Sequence, residues 1–445
     1  MLHGRETPFH DYVDPKAGTV DRIIFSDQAI YEMELERIFA RCWNFMCHES
    51  QIPNKGDYFL TFIGEESVIA TRDKTGTLQV FINSCRHRGN AVCRAESGNA
   101  RSFLCTYHGW TFGLDGKLIG VPGYKDLYHE DLKREEWGLI SAAKVASFKG
   151  FVFATMDPEA PDLEDYLGEV GRLGLNLIAG RGDQAVVDGV QKFTIGCNWK
   201  LAVDNVFDFY HPDLTHASAF MARVDPTKPP PPPAYDVMSQ RVALGRYGHA
   251  ISGPRMTPEA FAALDPAITP LDSLFDEAWR HHPENKAEIG TAGQLSRGHP
   301  NIFPNLWIAP HASEMCLRIP RGPGRTEIWW FVLVPTNLSP EALRTRVNRA
   351  NHVFGPAGML EQEDGENWDQ STRATAGVVA RRYPLNFAMN LGRGEIKRDG
   401  GVHYVDTHTN EHAQLWTWRS WADWMDAENW GALERDSTAP PMDVV

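Results

Sequence analysis

The chain is sparing in several features that define large protein classes. Cysteine occurs only 7 times in 445 residues. That odd, thinly spread set cannot form a disulfide framework and fits a reduced, cytoplasmic compartment. No stretch approaches the roughly 18 apolar residues that span a bilayer. The start, MLHGRETPFHDYVDPKAG, has no apolar run behind a basic segment, so no signal peptide is expected. Positive charge is in deficit. The formal net charge is −14, and no basic stretch is dense enough to follow a phosphate backbone, which argues against nucleic acid as a partner. There is no internal repeat, no GxGxxG and no phosphate-loop pattern.

What the chain does have is bulk: 42% of residues are hydrophobic and 11% aromatic. A length prior gives roughly two to three domains. Residues 27–46, DQAIYEMELERIFARCWNFM, carry apolar residues at helical intervals behind Asp27 as N-cap. From about residue 50, YFLTFIGEESVIATRDKTGTLQVFINS reads as short strands with a DKTGT hairpin turn, and FKGFVFATM reads as another strand. SEMCLRIPRGPGRTEIWWFVLVP (313–335) reads as an antiparallel hairpin, and GPAGMLEQEDGENWDQSTRATAG (355–377) as a helix with Pro356 near its start. The run KPPPPP and the polar tract to about residue 300 read as a loop-rich excursion.

Most cysteine chemistry concentrates in CRHRGNAVCRAESGNARSFLCTYHGW, where Cys85-x-His87 and Cys105-x-x-His108 rhyme. Thiolates and imidazoles are ligands for zinc or an iron–sulfur cluster. Zinc fingers usually place both cysteines in one element and both histidines in the other. Here each loop supplies one of each, as required when two cysteines grip one iron and two histidines a second, the Rieske [2Fe–2S] arrangement. Gly89 and Gly109 follow the pairs closely, consistent with tight loops. Cys93 belongs to neither pair and is expected to be a small buried residue.

A second constellation is NWKLAVDNVFDFYHPDLTH (198–216). By themselves, two helical histidines are more often surface or core residues than ligands. Positions five apart on a regular helix diverge by roughly 140°, so His211 and His216 would not share a face. Pro212 cannot donate the helical hydrogen bond to Asp208, so the helix is expected to break or widen there, which could turn both rings toward one point. Two histidines need a carboxylate to complete a facial triad for non-haem Fe(II).

The two Cys–His pairs, then Asn-x-x-Asp-x-Tyr-His-x4-His, then GMLEQEDGENW together resemble the catalytic alpha subunit of Rieske non-haem iron aromatic-ring-hydroxylating oxygenases. The resemblance runs from about residue 30 to the 370s. It implies an α+β fold, with a β-sandwich Rieske domain and a helix-grip catalytic domain of antiparallel sheet and helices. It implies that Cys85, His87, Cys105 and His108 hold the cluster. It makes His211, His216 and Asp364 the ligands of a mononuclear Fe(II), with Glu363 as the alternative acid. The other acids of this stretch, Glu361 and Glu366, read as a solvated helix face. Asp208 matches the carboxylate that, in the family, joins the ligand histidine to a cluster histidine of a neighbouring subunit, with Asn205 and Tyr210 beside it. Phe220, Met221, His299, Phe354 and Leu360 match positions around the family's pocket.

One departure bears on substrate. Asn205 and Asp208 have two residues between them, where naphthalene- and biphenyl-type members usually have three. The shorter form is nearer to members that act on aryl acids, and Arg297 and Arg318 are then candidate partners for a carboxylate. The resemblance further implies an aromatic hydrocarbon or aryl carboxylate as substrate with dioxygen. It implies electrons from NAD(P)H through a separate reductase or ferredoxin, a homotrimer, and optionally a small beta subunit. The expected division is an N-terminal helical segment (1–45) packing on the catalytic domain, a Rieske domain (46–157) and a catalytic domain (158–445). A Rieske monooxygenase or demethylase of an aromatic acid, and a non-catalytic zinc-stabilised binding module, are the competing readings. The last 60 or so residues carry no legible motif.

Overall fold

The computed structural model describes residues 8–222, 238–263 and 277–437. The chain divides into two compact units, Phe39–Leu163 and a second formed by Met1–Ile38 with Glu164–Val445. The first boundary falls earlier than 46 because strand Asn44–His48 pairs with Phe151–Thr155. The proline run lies outside the described residues. No helix among those described is long and apolar enough to cross a membrane.

The smaller unit is built from antiparallel strands. Asp57–Ile63, Glu66–Arg72 and Leu78–Ile82 form a meander. Its DKTGT turn is held by Asp73 Oδ1, which accepts from the amides of Thr75 at 2.8 Å and Thr77 at 3.0 Å. The hairpin Phe103–Leu104 with Thr111–Phe112 carries the second Cys–His loop at its tip. Strand Lys144–Phe148 pairs with Phe151–Thr155.

The larger unit is organised on one antiparallel sheet of 10 strands among the described residues. The hairpin expected at 313–335 is present, with Glu314–Pro320 paired to Thr326–Pro335. Alternation along strands sorts residues between two faces. Val242, Leu244 and Ala250 face one core with Trp307, Cys316 and Trp330. Their neighbours Ala243 and Ile251 face another, covered by Leu173 and Leu177 of helix Leu163–Ala179 and by Ile289 of helix Pro283–Gln294. The tract read as loop-rich thus contains strands Gln240–Leu244 and Ala250–Pro254 as well as that second helix. Only in the helix do the polar residues face outward; both strands are buried along nearly all their length, polar Gln240, Arg241 and Ser252 included.

Asp27 does cap a helix, accepting from the Ile30 amide at 3.0 Å. The helix proper spans Gln28–Glu34 and continues as a wider π-type turn over Leu35–Phe39. The residues after 43 are strand. The final segment supplies two strands, Glu395–Asp399 and Val402–Thr407, and helix His412–Asp426. Trp416, Trp418, Trp421 and Trp424 of that helix are all buried.

The described N-terminal residues are clamped to the same helix. Asp426 accepts from the Phe9 amide at 2.7 Å and from His10 Nδ1 at 2.5 Å, and His10 Nε2 meets Asp423 at 2.7 Å. Hydrogen bonds to Asp423 and Asp426 raise the His10 pKa from 6.5 to about 9. The folded state therefore holds this proton more tightly than the unfolded chain. Its stabilisation is complete below pH 6.5 and lost as pH rises through about 9. The ring is half-exposed, so the effect is about 1 kcal/mol or less. Amide exchange of residues 8–20 should accelerate across that window, and a flat profile would contradict the clamp.

Candidate metal centres and active site

In the smaller unit the two Cys–His loops are near copies of each other. The Gly89 amide donates to the Cys85 carbonyl at 2.8 Å, and the Gly109 amide to the Cys105 carbonyl at 2.9 Å. The Cys85 amide donates to the Asn90 carbonyl and the Cys105 amide to the Trp110 carbonyl, at 2.9 and 2.8 Å. Both glycines have φ of 75°, a conformation that would strain any residue with a Cβ. The His87 and His108 ring centroids are 4.6 Å apart, and His87 stacks on Trp110 at 5.0 Å.

Cys85 and Cys105 are both buried. Burial pushes both thiols up, but the Tyr107 amide, the Asn90 side chain and the His108 amide bring Cys105 below its usual pKa. Asn90 Nδ2 is 3.6 Å from Cys105 Sγ. These loops thus present donors to a sulfur anion, and His87 Nδ1 is buried without a partner. The donor set fits a cluster with two thiolate and two imidazole ligands. Cys93 sits apart, buried, with its amide on Asn83 Oδ1 at 2.9 Å.

In the larger unit, helix Trp199–Asp204 passes into a 3₁₀ turn at Asn205–Phe207, and the chain leaves helical geometry at Asp208 (φ −83°, ψ 106°). The break therefore precedes Pro212, which starts the next short helix, Pro212–Thr215. His211 and His216 stand at the two ends of that turn of helix, and this brings their rings together.

The geometry converges with Asp364 of helix Glu361–Thr375. His211 Nε2 to His216 Nε2 is 3.2 Å, His211 Nε2 to Asp364 Oδ1 is 3.2 Å, and His216 Nε2 to Asp364 Oδ1 is 3.3 Å. Donors about 2.1 Å from one ion and at right angles would lie about 3 Å apart, which these edges match. The His216 Nδ1 proton goes to Glu363 Oε2 at 2.9 Å, leaving Nε2 as a lone pair. Asp364 Oδ1 is buried and, despite both close rings, has no aligned hydrogen bond. Three such atoms at these separations repel unless a proton or a metal cation lies between them. Burial pushes His211 toward neutrality, but Asp208 and Asp364 outweigh it and raise its pKa to about 10. The same pull holds Asp364 below its usual range despite burial. The site is built to hold positive charge.

Asp208 is placed to act on His211 from behind. Its Oδ2 lies 3.4 Å from His211 Nδ1, and its Oδ1 accepts from the Tyr210 and His211 amides at 2.7 and 3.2 Å. Asn205 contributes its carbonyl to the Asp208 amide at 3.2 Å. The Tyr210 side chain is 56% exposed and Met221 is 78% exposed, so neither side chain joins the triad.

Residues 42–138 match the Rieske [2Fe-2S] domain family, and residues 180–426 match the ring hydroxylating alpha subunit (catalytic domain) family. The chain belongs to the ring-hydroxylating alpha-subunit family. It is 34% identical to the biphenyl 2,3-dioxygenase alpha subunit of Rhodococcus jostii (strain RHA1), covering 99% of this chain and 96% of the relative. It is 33% identical to a benzene 1,2-dioxygenase alpha subunit of Pseudomonas putida, over 95% of this chain and 94% of the relative. The crystal structure of naphthalene 1,2-dioxygenase from Rhodococcus sp. bound to indole superposes with a TM-score of 0.79 at 34% identity, covering 95% and 97% of the two chains. This alpha subunit is therefore the terminal oxygenase of an aromatic ring-hydroxylating dioxygenase, with a Rieske cluster, a mononuclear iron and electron-transfer partners. The zinc-module reading falls.

The remaining candidates divide. Phe354 is buried, stacked on Trp330 at 4.5 Å and edge-on to Trp307 at 5.1 Å, with Leu360 packed against the same core. His299 is buried between Phe209 and Trp307, both at 5.1 Å. Phe220 lies 6.2 Å from the His216 ring. Arg318 points into the core of that sheet face. Arg297 instead lies beside Glu277 and Arg280, whose charges it perturbs.

Of the acids read as a solvated helix face, Glu366 is exposed and Glu361 is not. Glu361 is fully buried and donated to by Trp330 Nε1 at 3.2 Å. The sequence reading also missed Trp307, Trp330 and Trp368, which pack in the same core as Phe354. Trp368 sits four residues after Asp364 and Glu361 three before it, a helical spacing that could have placed them on one face.

Proposed function

We propose that His211, His216 and Asp364 hold the mononuclear iron and that Cys85, His87, Cys105 and His108 hold the cluster. The observation that carries the first assignment is the triangle of His211 Nε2, His216 Nε2 and Asp364 Oδ1, with edges of 3.2 to 3.3 Å around a buried carboxylate oxygen. When bound, the cluster supplies single electrons and the iron activates dioxygen beside the ring.

The chain's own residues prepare that chemistry. Glu363 accepts a hydrogen bond from His216 Nδ1 and Asp208 favours a proton on His211 Nδ1, so both rings present Nε2 as the ligand atom. Phe354, Trp307 and Trp330 offer flat apolar surface to an aromatic ring and keep water from it. Asp208 keeps a partly exposed carboxylate edge, where a cluster histidine of a neighbouring copy docks. That contact makes a homotrimer part of the working enzyme, with or without a small beta subunit. The reductant is NAD(P)H, delivered by a separate reductase or ferredoxin in the cytoplasm, since the chain has no nucleotide-binding loop.

Asp208→Ala tests this reading. Its cluster should still be reduced by dithionite and its triad should keep its iron, while ring hydroxylation falls by at least about 10²-fold. Turnover equal to wild type would remove Asp208 from the working route.

A further inference from the structure

Arg318 stands on strand Glu314–Pro320, on the face that also carries Cys316 and Glu314, and it is fully buried. Its Nε, Nη1 and Nη2 are all shielded from solvent and all without a hydrogen-bond partner. No other arginine among the described residues leaves all three nitrogens in that state. Two other buried arginines, Arg241 and Arg280, are anchored by carboxylates. Arg241 makes a two-pronged bond to Asp406 at 2.6 and 2.9 Å, and Arg280 pairs with Glu277 at 2.5 Å and the Gly293 carbonyl at 2.6 Å. A buried guanidinium with five idle donors is destabilising unless something fills its fork.

Its surroundings say what that is. The Arg318 Cζ lies 4.6 Å from the Trp307 ring centroid and 5.9 Å from that of Trp368. Trp368 and Asp364 project from the same buried face of helix Glu361–Thr375, one turn apart. Arg318 therefore sits in the layer between sheet and helix in which the triad is built. Glu361 and Glu314 are the acids of this layer, and neither is within ion-pair distance of the guanidinium. Burial raises both, Glu361 to about 8 against the opposing pull of the Arg318 charge, so the acid that senses the guanidinium does so without bonding it. Stacking on tryptophan accounts for the faces of the guanidinium and leaves its edge of N–H groups vacant.

We propose that Arg318 is the specificity-determining residue for an anionic substrate, an aromatic ring bearing a carboxylate, whose two oxygens occupy the guanidinium fork while the ring packs against the surrounding tryptophans. The proposal rests on the triad being the oxygenation site. It departs from the reported relatives, which are named for neutral hydrocarbons, and it assigns the carboxylate to one of the two arginines raised by sequence. A planar two-pronged fork matches a carboxylate and is not reproduced by lysine.

The test is equilibrium binding to the assembled, iron-loaded oxygenase, read by tryptophan fluorescence. The probes are 2-naphthoate and its neutral isostere 2-naphthamide. Wild type should bind the carboxylate at least about tenfold more tightly, as a charge-assisted contact predicts. Arg318→Met should abolish or invert that ratio, and Arg318→Lys should keep only part of it. Equal or weaker binding of the carboxylate by wild type overturns the proposal without reference to any variant. Single-turnover oxidation after dithionite reduction separates this from the parent reading. If naphthalene is oxidised and no carboxylate preference exists, Arg318 loses its role and the oxygenase site stands. If the preference exists and no ring is oxidised, the oxygenase site fails while the anion-binding role of Arg318 stands.

Discussion

Asp364→Ala should strip the mononuclear iron and reduce product formation by more than about 10²-fold, while leaving the cluster's visible absorption unchanged. The expected loss exceeds the 10- to 100-fold typical of a residue that only orients a ligand, because Asp364 Oδ1 is itself one corner of the donor triangle. Its removal also takes away one of the two carboxylates that draw positive charge to His211. Glu363→Ala is the matched control. Glu363 touches the triad only through His216 Nδ1, so iron should be retained in large part and activity should fall within the orienting range. Iron per chain and product per cluster reduced are the two measurements. If Glu363→Ala loses the metal and Asp364→Ala keeps it, the acid has been misassigned.

Glu34→Ala should destabilise the larger unit by about 3–5 kcal/mol, the usual result of leaving a buried charge without its partner. Glu34 and Lys200 are both fully buried and meet at 2.5 Å. Glu34 also accepts from Trp199 Nε1 at 2.8 Å and Trp421 Nε1 at 2.9 Å. One carboxylate thus joins helix Gln28–Glu34, the helix leading to the His211 loop, and the tryptophan-rich helix near the C-terminus. Three donors would be orphaned at once. Burial already lowers the Lys200 pKa against the pull of Glu34, so without its partner the amine would tend to lose its proton. The double variant Glu34→Gln with Lys200→Met removes both charges and should recover much of the loss. Denaturant unfolding followed by tryptophan fluorescence decides it, and a loss below about 1 kcal/mol for Glu34→Ala would contradict the network.

Much of the site was legible because its signals are local. In Cys85-x-His87 and Cys105-x-x-His108 the ligand types, their spacing and the following glycine all lie within a few residues, and each loop closes on its own backbone. The His211–His216 pair was similarly legible, although the turn that unites it begins at Asp208 and Pro212 opens the second helix rather than breaking the first. The hairpin at 313–335 followed from its alternation and its Gly-Pro-Gly turn. The polar tract before residue 300 was misread because its two strands are short and carry buried polar residues, Gln240, Arg241 and Ser252, so polarity outweighed pattern.

Sequence by itself determined the chemistry of this protein: two metal-binding donor sets of unlike type and an acid-rich helix to complete the second, in an order resembling one oxygenase family. Tertiary structure decided which residues of equal chemical promise do the work. Glu363 and Asp364 are adjacent in sequence but point about 100° apart on a helix, so packing alone places one in the triad and the other behind His216. Glu361 and Arg318 look like surface residues in sequence and are buried in the layer between sheet and helix, whereas the Arg297 charge acts on Glu277, away from that layer. Ligand spacing is a property of a few consecutive bonds. Burial and facing are properties of elements more than 100 residues apart, and only folding brings those together.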